Sequence, residues 1–189
     1  MTEDAVGGAW VLEELWAPIV ALTARDGPRA GGLIASTAVA AALAPELPRV
    51  VVQLSKANLT HDLALRSGAF AVHLLPAAPD PALRRSLELF RTLGLRSGRD
   101  GDKLAGVAFR TGRTGAPILE DALAWAEARI VGTLDGGGST IVLADVVAGE
   151  RRQGEALAIE LALERMPPEW RAEWERSLAR QQEAERAAR

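Results

Sequence analysis

The stretch Gly31 to Gly68, GGLIASTAVAAALAPELPRVVVQLSKANLTHDLALRSG, decides how the rest of the chain is read. It predicts a strand, a loop bracketed by Pro45 and Pro48, a second strand over Val50–Leu54, a polar turn, and a short helix from Thr60 to Ser67-Gly68. The step from strand to helix carries the chemistry. Val50-Val51-Val52-Gln53-Leu54 runs directly into Ser55-Lys56-Ala57-Asn58-Leu59-Thr60. Hydroxyls, an amide and one ammonium are thereby gathered where the first N–H groups of a helix lack backbone partners, an arrangement suited to a phosphate. Ordinary capping of the helix by Asn58 or Thr60 is the alternative.

Working outward, Pro18 to Ala24 is a β-run, and Arg25-Asp26-Gly27-Pro28-Arg29 is a turn by its Asp-Gly-Pro content. The alanine-rich segment Gly31–Ala42 has helical propensity. It is read instead as a strand followed by irregular chain, because it continues a clear hairpin and Ser36-Thr37 interrupt its apolar face. Ahead of it, Trp10 to Trp16 is a short helix or an extended segment. On the other side, Ala69–Leu75 is a strand in which Phe70, Val72 and Leu74 alternate with Ala71 and His73. Pro76–Pro81 reads as a loop, Ala82–Phe90 as an amphipathic helix, and Arg96–Asp102 as a charged loop. Ala126–Val131 and Ser139–Val147 are strands joined by an Asp135-Gly-Gly-Gly138 hairpin turn. Residues 1–149 therefore predict a mainly β domain, a small barrel with helices at its rim.

Residues 150–189 differ in character. Glu155–Arg165 has helical composition, Pro167-Pro168 breaks it, and a second helix starts at Glu169. Trp170, Trp174 and Leu178 recur at four-residue spacing, which predicts an apolar stripe docking on the barrel or on a partner subunit.

Composition narrows the functions. Apolar residues make up 48% and charged residues 25%, ordinary for a soluble globular protein, and a net charge of -3 offers no footprint for nucleic acid. No apolar run reaches the roughly 20 residues of a membrane span, and the acidic start MTEDAVGGAW is unlike a secretory signal, so a cytoplasmic protein is expected. Cysteine is absent and there are two histidines, so no metal site is expected.

In this order the segments resemble the flavin reductase-like family, whose members are FMN-binding split barrels. The residues that carry the likeness are Trp16-Ala-Pro18-Ile-Val-Ala-Leu-Thr23, Arg25-Asp-Gly27 with Gly32-Leu-Ile-Ala-Ser36-Thr37, and Pro45-Glu-Leu-Pro48 leading to Ser55. They continue with Lys56-Ala-Asn58-Leu-Thr60-His61, Ser67-Gly68-Ala-Phe70-Ala-Val72, Gly101-Asp-Lys103-Leu-Ala-Gly106 and Gly115-Ala-Pro117 to Trp125. The resemblance implies that Ser55, Lys56, Asn58 and Thr60 hold the FMN phosphate. It implies that Ile34, Ala35, Ser36 and Thr37 lie along the isoalloxazine, and that Lys103 reaches the site. FMN is the expected cofactor, FAD the less favoured flavin, and NADH or NADPH the electron donor. A homodimer is implied, with a monooxygenase or other electron acceptor as a further partner.

No catalytic side chain is assigned, because hydride transfer belongs to the cofactor. Two departures from the family stand out. Many members carry Asp-His before the last barrel strand, where this chain has Gly137-Gly138-Ser139-Thr140. His73 occupies a position where the family often has Asn. His73 is read as a strand histidine bonded to the backbone, and His61 as an exposed residue at a helix start. Without the usual His, an FMN-binding electron carrier lacking pyridine-nucleotide activity is the alternative function.

Overall fold

The computed structural model describes residues 19–187. The segment Trp10–Trp16 lies outside the described residues. The strands are β1 (Val20–Asp26), β2 (Arg29–Ala35), β3 (Ala38–Ala40), β4 (Arg49–Ser55), β5 (Ala69–Leu74), β6 (Phe109–Thr111), β7 (Pro117–Leu119), β8 (Ala124–Asp135) and β9 (Ser139–Arg151). The helices are α1 (Leu59–Ser67), α2 (Asp80–Phe90), α3 (Ile159–Arg165) and α4 (Pro168–Ala187). A π-helical turn, Arg91–Leu95, extends α2.

Seven strands form one antiparallel sheet in the order β2-β1-β5-β8-β9-β4-β3, curled into a half-barrel; β6 and β7 make a separate ribbon. The long β8–β9 hairpin has two irregularities, at Glu127/Ala128 and Ile130/Gly132. Such bulges bend a strand and increase its twist, which is what curling a sheet requires.

β1 shows why the fold is readable. Val20, Leu22 and Ala24 enter one apolar core with Val52, Leu54, Leu63 and Phe70. Ala21, with the preceding Ile19, enters a second core with Leu87, Phe90, Leu93 and Leu157. A strand covered on both faces reads as an uninterrupted apolar run. The same holds for β5: Ala71 and His73 are buried along with Phe70, while Val72 and Leu74 are half-buried, so its alternation does not separate core from solvent.

Gly31 and Gly32 let helices close on β2. A Cβ on Gly32 would sit 2.9 Å from the Leu93 side chain, and one on Gly31 would sit 3.2 Å from Thr60 Oγ1. At the end of α1, Gly68 adopts φ 70°, and its N–H bonds the Ala64 carbonyl.

Three expectations are corrected. Glu155–Ala158 is not helical, because its backbone pairs with the chain after β5: Ala77 N–H donates to Glu155 O and Leu157 N–H to Leu75 O. These bonds outweigh the helical propensity of the sequence. α2 begins two residues before the expected Ala82, with Pro81 in its first turn, where a missing N–H costs nothing. His61 is not exposed. It is 8% accessible, because its ring meets Thr140 of β9.

Trp170 and Trp174 pack against the second core, as a docking stripe should. Trp174 meets Phe90 edge to face at 5.0 Å, and the Arg91 guanidinium lies 4.6 Å from the Trp170 ring centre.

Candidate functional site

A cleft of about 720 Å³ opens beside the polar turn. Its size is that of a small-molecule site. One side is the end of β2 and the link to β3, contributing Ile34, Ala35, Ser36 and Thr37. The polar end is built by Ser55, Lys56 and Asn58 after β4, and by Gly137, Gly138 and Ser139 at the β8–β9 hairpin. Ile19, Leu93 and Ile159, packed with Ile34 in the second core, make the lining away from that turn apolar. Seven of the nine sequence-predicted residues thus line one cavity. Thr60 and Lys103 do not line it. Thr60 is 2% exposed inside α1, and Lys103 is 6% exposed behind β2.

The polar turn is tightly organised. Asn58 N–H donates to Ser55 O at 3.1 Å, and Lys56 N–H to Gly138 O at 3.0 Å. Among the described residues no side chain caps α1, so the capping alternative for Asn58 and Thr60 finds no bond. Lys56 Nζ donates to Asp135 Oδ1 at 2.6 Å. This bond, together with the Gly137 N–H, holds the Asp135 carboxyl below its ordinary range. Gln53 Nε2 bonds Ser139 Oγ at 2.8 Å, tying the two polar walls together.

Behind the turn runs a buttress that the sequence did not reveal. Arg99 donates through Nε to Ala57 O at 3.1 Å and through Nη2 to Lys56 O at 3.3 Å and to Asp62 Oδ2 at 2.9 Å. Asp62 also accepts from His61 Nδ1 at 2.9 Å, so His61 Nε2 receives the Thr140 hydroxyl at 2.9 Å. Burial pushes the Asp62 carboxyl up, but His61 and Arg99 outweigh it and leave the group lowered. The only sequence signal for Arg99 was its place in a charged loop.

Lys103 Nζ donates to Gly32 O at 3.2 Å and Leu93 O at 2.6 Å, and burial pulls it down to about 8. His73 bridges Ala21 O through Nδ1 and Leu119 N–H through Nε2, as a backbone-bonded strand histidine. Neither histidine lines the cleft. The sequence also missed Gln53, whose signal was a lone amide within an apolar strand.

A curled antiparallel sheet bearing this cleft defines a split-barrel protein with a candidate small-molecule site. The chain matches the model of the flavin reductase like domain over residues 12–163, and it belongs to that family of flavin-binding proteins. It is 33% identical over 138 residues to the high molecular weight rubredoxin of Moorella thermoacetica, covering 72% of this chain and 57% of that protein's length. It is 32% identical over 130 residues to a ferric-chelate reductase (NAD(P)H) of Archaeoglobus fulgidus, covering 68% of this chain and 72% of the other. The FMN-binding protein of Thermus thermophilus, solved with 1-cyclohex-2-enone bound, superposes with a TM-score of 0.64 at 25% identity, over 75% of this chain and 74% of that one. Among the described residues no helix is long and apolar enough to cross a membrane, and no group of three or more His, Cys, Asp or Glu side chains is placed to hold a metal.

Proposed function

We propose that this protein is an NAD(P)H-dependent flavin reductase that binds FMN in the cleft beside Lys56. The observation that carries the reading is the polarity of that cleft. Its apolar end, with Ile34 and Leu93, suits a flat ring; its polar end, with Ser55, Lys56 and Asn58, suits a phosphate. The uncapped start of α1 adds N–H groups and a favourable dipole at the same end. When bound, the flavin supplies the hydride-accepting and electron-passing chemistry. The chain's own residues bind it, orient it and keep water from its ring. Lys103 stands one layer behind and places a buried amine near the cleft wall. An ammonium matched to one terminal phosphate favours FMN over FAD. The name of the Archaeoglobus relative supports a pyridine-nucleotide donor.

A second reading is an FMN-binding electron carrier. It is favoured by Gly137-Gly138-Ser139-Thr140, which offers no imidazole to a nicotinamide, and by the engagement of both histidines elsewhere. Absorption titration with FMN, followed by NADH and NADPH oxidation assays, separates the two. A bound-flavin spectrum with turnover above that of free flavin is expected. Binding without turnover leaves the carrier, and no binding removes both.

The assembly we propose is a homodimer. Leu43 is fully exposed, and Val39, Leu47, Val131 and Leu134 are each 47% exposed or more, a density of open apolar side chains that a second copy would cover. Sedimentation at micromolar concentration should give twice the chain mass of 20.0 kDa. A monomer would refute the dimer.

A further inference from the structure

One side of the cleft is made by a segment that the sequence marks only for docking. Trp174, Leu178, Gln181 and Gln182 of α4 all line the cavity. They stand at i, i+4, i+7 and i+8, on a single helix face, and span about 12 Å at 1.5 Å per residue. The first turns of α4 are held by packing that needs no ligand. Phe90 is buried against the edge of Trp174, Arg91 covers Trp170, and Arg171 Nη2 donates to Leu163 O. Further along, the packing stops. Leu178 remains 44% exposed although it borders the same cavity as Ile34 and Leu93. A helix that merely docked would turn its apolar face wholly onto the core. Here the stripe begins in the core and ends on open space with amides beyond it.

We infer that α4 is a binding element of the cleft: Trp174 and Leu178 take the flat heteroaromatic ring of the ligand between themselves and the Ile34–Thr37 segment, and Gln181 and Gln182 offer amide hydrogen bonds at its polar edge. The inference rests on the flavin reading above. It gives residues 168–182 a share in the site that the 1–149 flavin domain does not hold alone. The residue types suit this role, since an indole is large, rigid and polarizable, and carboxamides both donate and accept.

Emission of bound FMN tests this without an activity assay. An indole touching an excited flavin donates an electron to it and extinguishes the emission. FMN titrated into the wild-type protein should go dark. Trp174→Phe, which keeps the contact to Phe90, should restore bound-flavin emission several-fold. Trp170→Phe, one turn earlier and outside the cavity, should stay dark. A Trp174→Phe protein that binds FMN and remains as dark as wild type overturns the inference. Should that variant fail to fold or to bind, Leu178→Ala decides. It alters a half-exposed side chain, and a several-fold weaker FMN affinity supports the inference while an unchanged affinity overturns it. Wild-type protein that binds no FMN overturns the flavin reading and this inference together. Wild-type binding with indifferent variants overturns this inference alone.

Discussion

Lys56 is a side chain that, in the function proposed above, serves the site rather than the fold. Its ion pair with Asp135 is exposed on both sides, 40% and 74%, and such pairs contribute little to stability. What the pair does is hold an ammonium at the polar end of the cleft. Lys56→Ala should therefore weaken FMN binding by roughly tenfold to a hundredfold, the loss of a charge-assisted hydrogen bond, and leave the melting temperature in place. Riboflavin, which lacks the phosphate, should bind both proteins alike. Asp135→Asn should act oppositely, freeing the ammonium and raising the FMN-to-riboflavin affinity ratio. An equal loss for both ligands in Lys56→Ala would remove the phosphate assignment. Lys103 is a different case. Its two bonds, to Gly32 O and Leu93 O, are satisfied equally by a neutral amine, and burial has lowered it to about 8. Between pH 8 and its ordinary 10.5 the unfolded chain holds a proton that the folded chain does not, so stability should rise with pH there. Denaturant unfolding at about pH 8 and about pH 10 should show that gain in wild type and its loss in Lys103→Met.

Among the elements, the turn of the β6–β7 ribbon is held by a buried carboxylate. Glu127 of β8 is 1% exposed and accepts from Arg113 N–H, Thr114 N–H and Thr114 Oγ1 at 2.7 to 2.9 Å. Burial pushes it up, but those donors and Arg110 outweigh burial and leave it lowered. Gly112 leaves room for it, since a Cβ there would run into Oε1. Gly112→Ala should expel the carboxylate and cost about 1–3 kcal/mol, the penalty of stranding buried donors, and Glu127→Ala should cost a similar amount. Unfolding midpoints within error of wild type would refute that role. The ribbon was not legible in the sequence, because three-residue strands are too short to show a period and their partner carboxylate lies more than ten residues on. β1 was legible because burial on both faces leaves an apolar run, and β4 because its consecutive valines favour a strand. The Asp135–Gly138 turn was legible by its glycines. The cleft was legible where it follows the chain, as in Ser55-Lys56-Ala57-Asn58. It was hidden where distant segments meet: Arg99 reaches back 42 positions to Ala57, and His61 forward 79 to Thr140. Glu155–Ala158 misled for the same reason, since its pairing partners lie far back along the chain, at Leu75 and Ala77.

At the scale of the molecule, the two larger cores share one wall, and His73 makes polar bonds within it. Its ring is fully buried in β5, accepts from Leu119 N–H of β7 and donates to Ala21 O of β1. The neutral imidazole thus joins Thr23, whose hydroxyl donates to Pro117 O, and Glu127 in tying the half-barrel to the ribbon. Protonation would turn Nε2 from acceptor to donor and set it against the Leu119 N–H. Desolvation is the main cause that lowers His73 from 6.5 to about 4, against the raising effects of the Ala21 bond and of Glu127. Above pH 6.5 both folded and unfolded chains hold the ring neutral, and the native bonds count in full. Between 6.5 and about 4 the unfolded chain takes up a proton that the native one refuses, so stability falls as pH falls. The full shift corresponds to about 3 kcal/mol. That is a large share of the total for a domain of this size. Glu127, lowered in the native state, adds a loss in the same direction at still lower pH. Denaturant unfolding at about pH 7, 5.5 and 4.5 should show this decline, and His73→Asn should flatten it. An amide there keeps a donor for Ala21 O at the place of Nδ1, and it does not titrate. A His73→Asn protein with the wild-type pH slope would assign the acid sensitivity to the carboxylates instead.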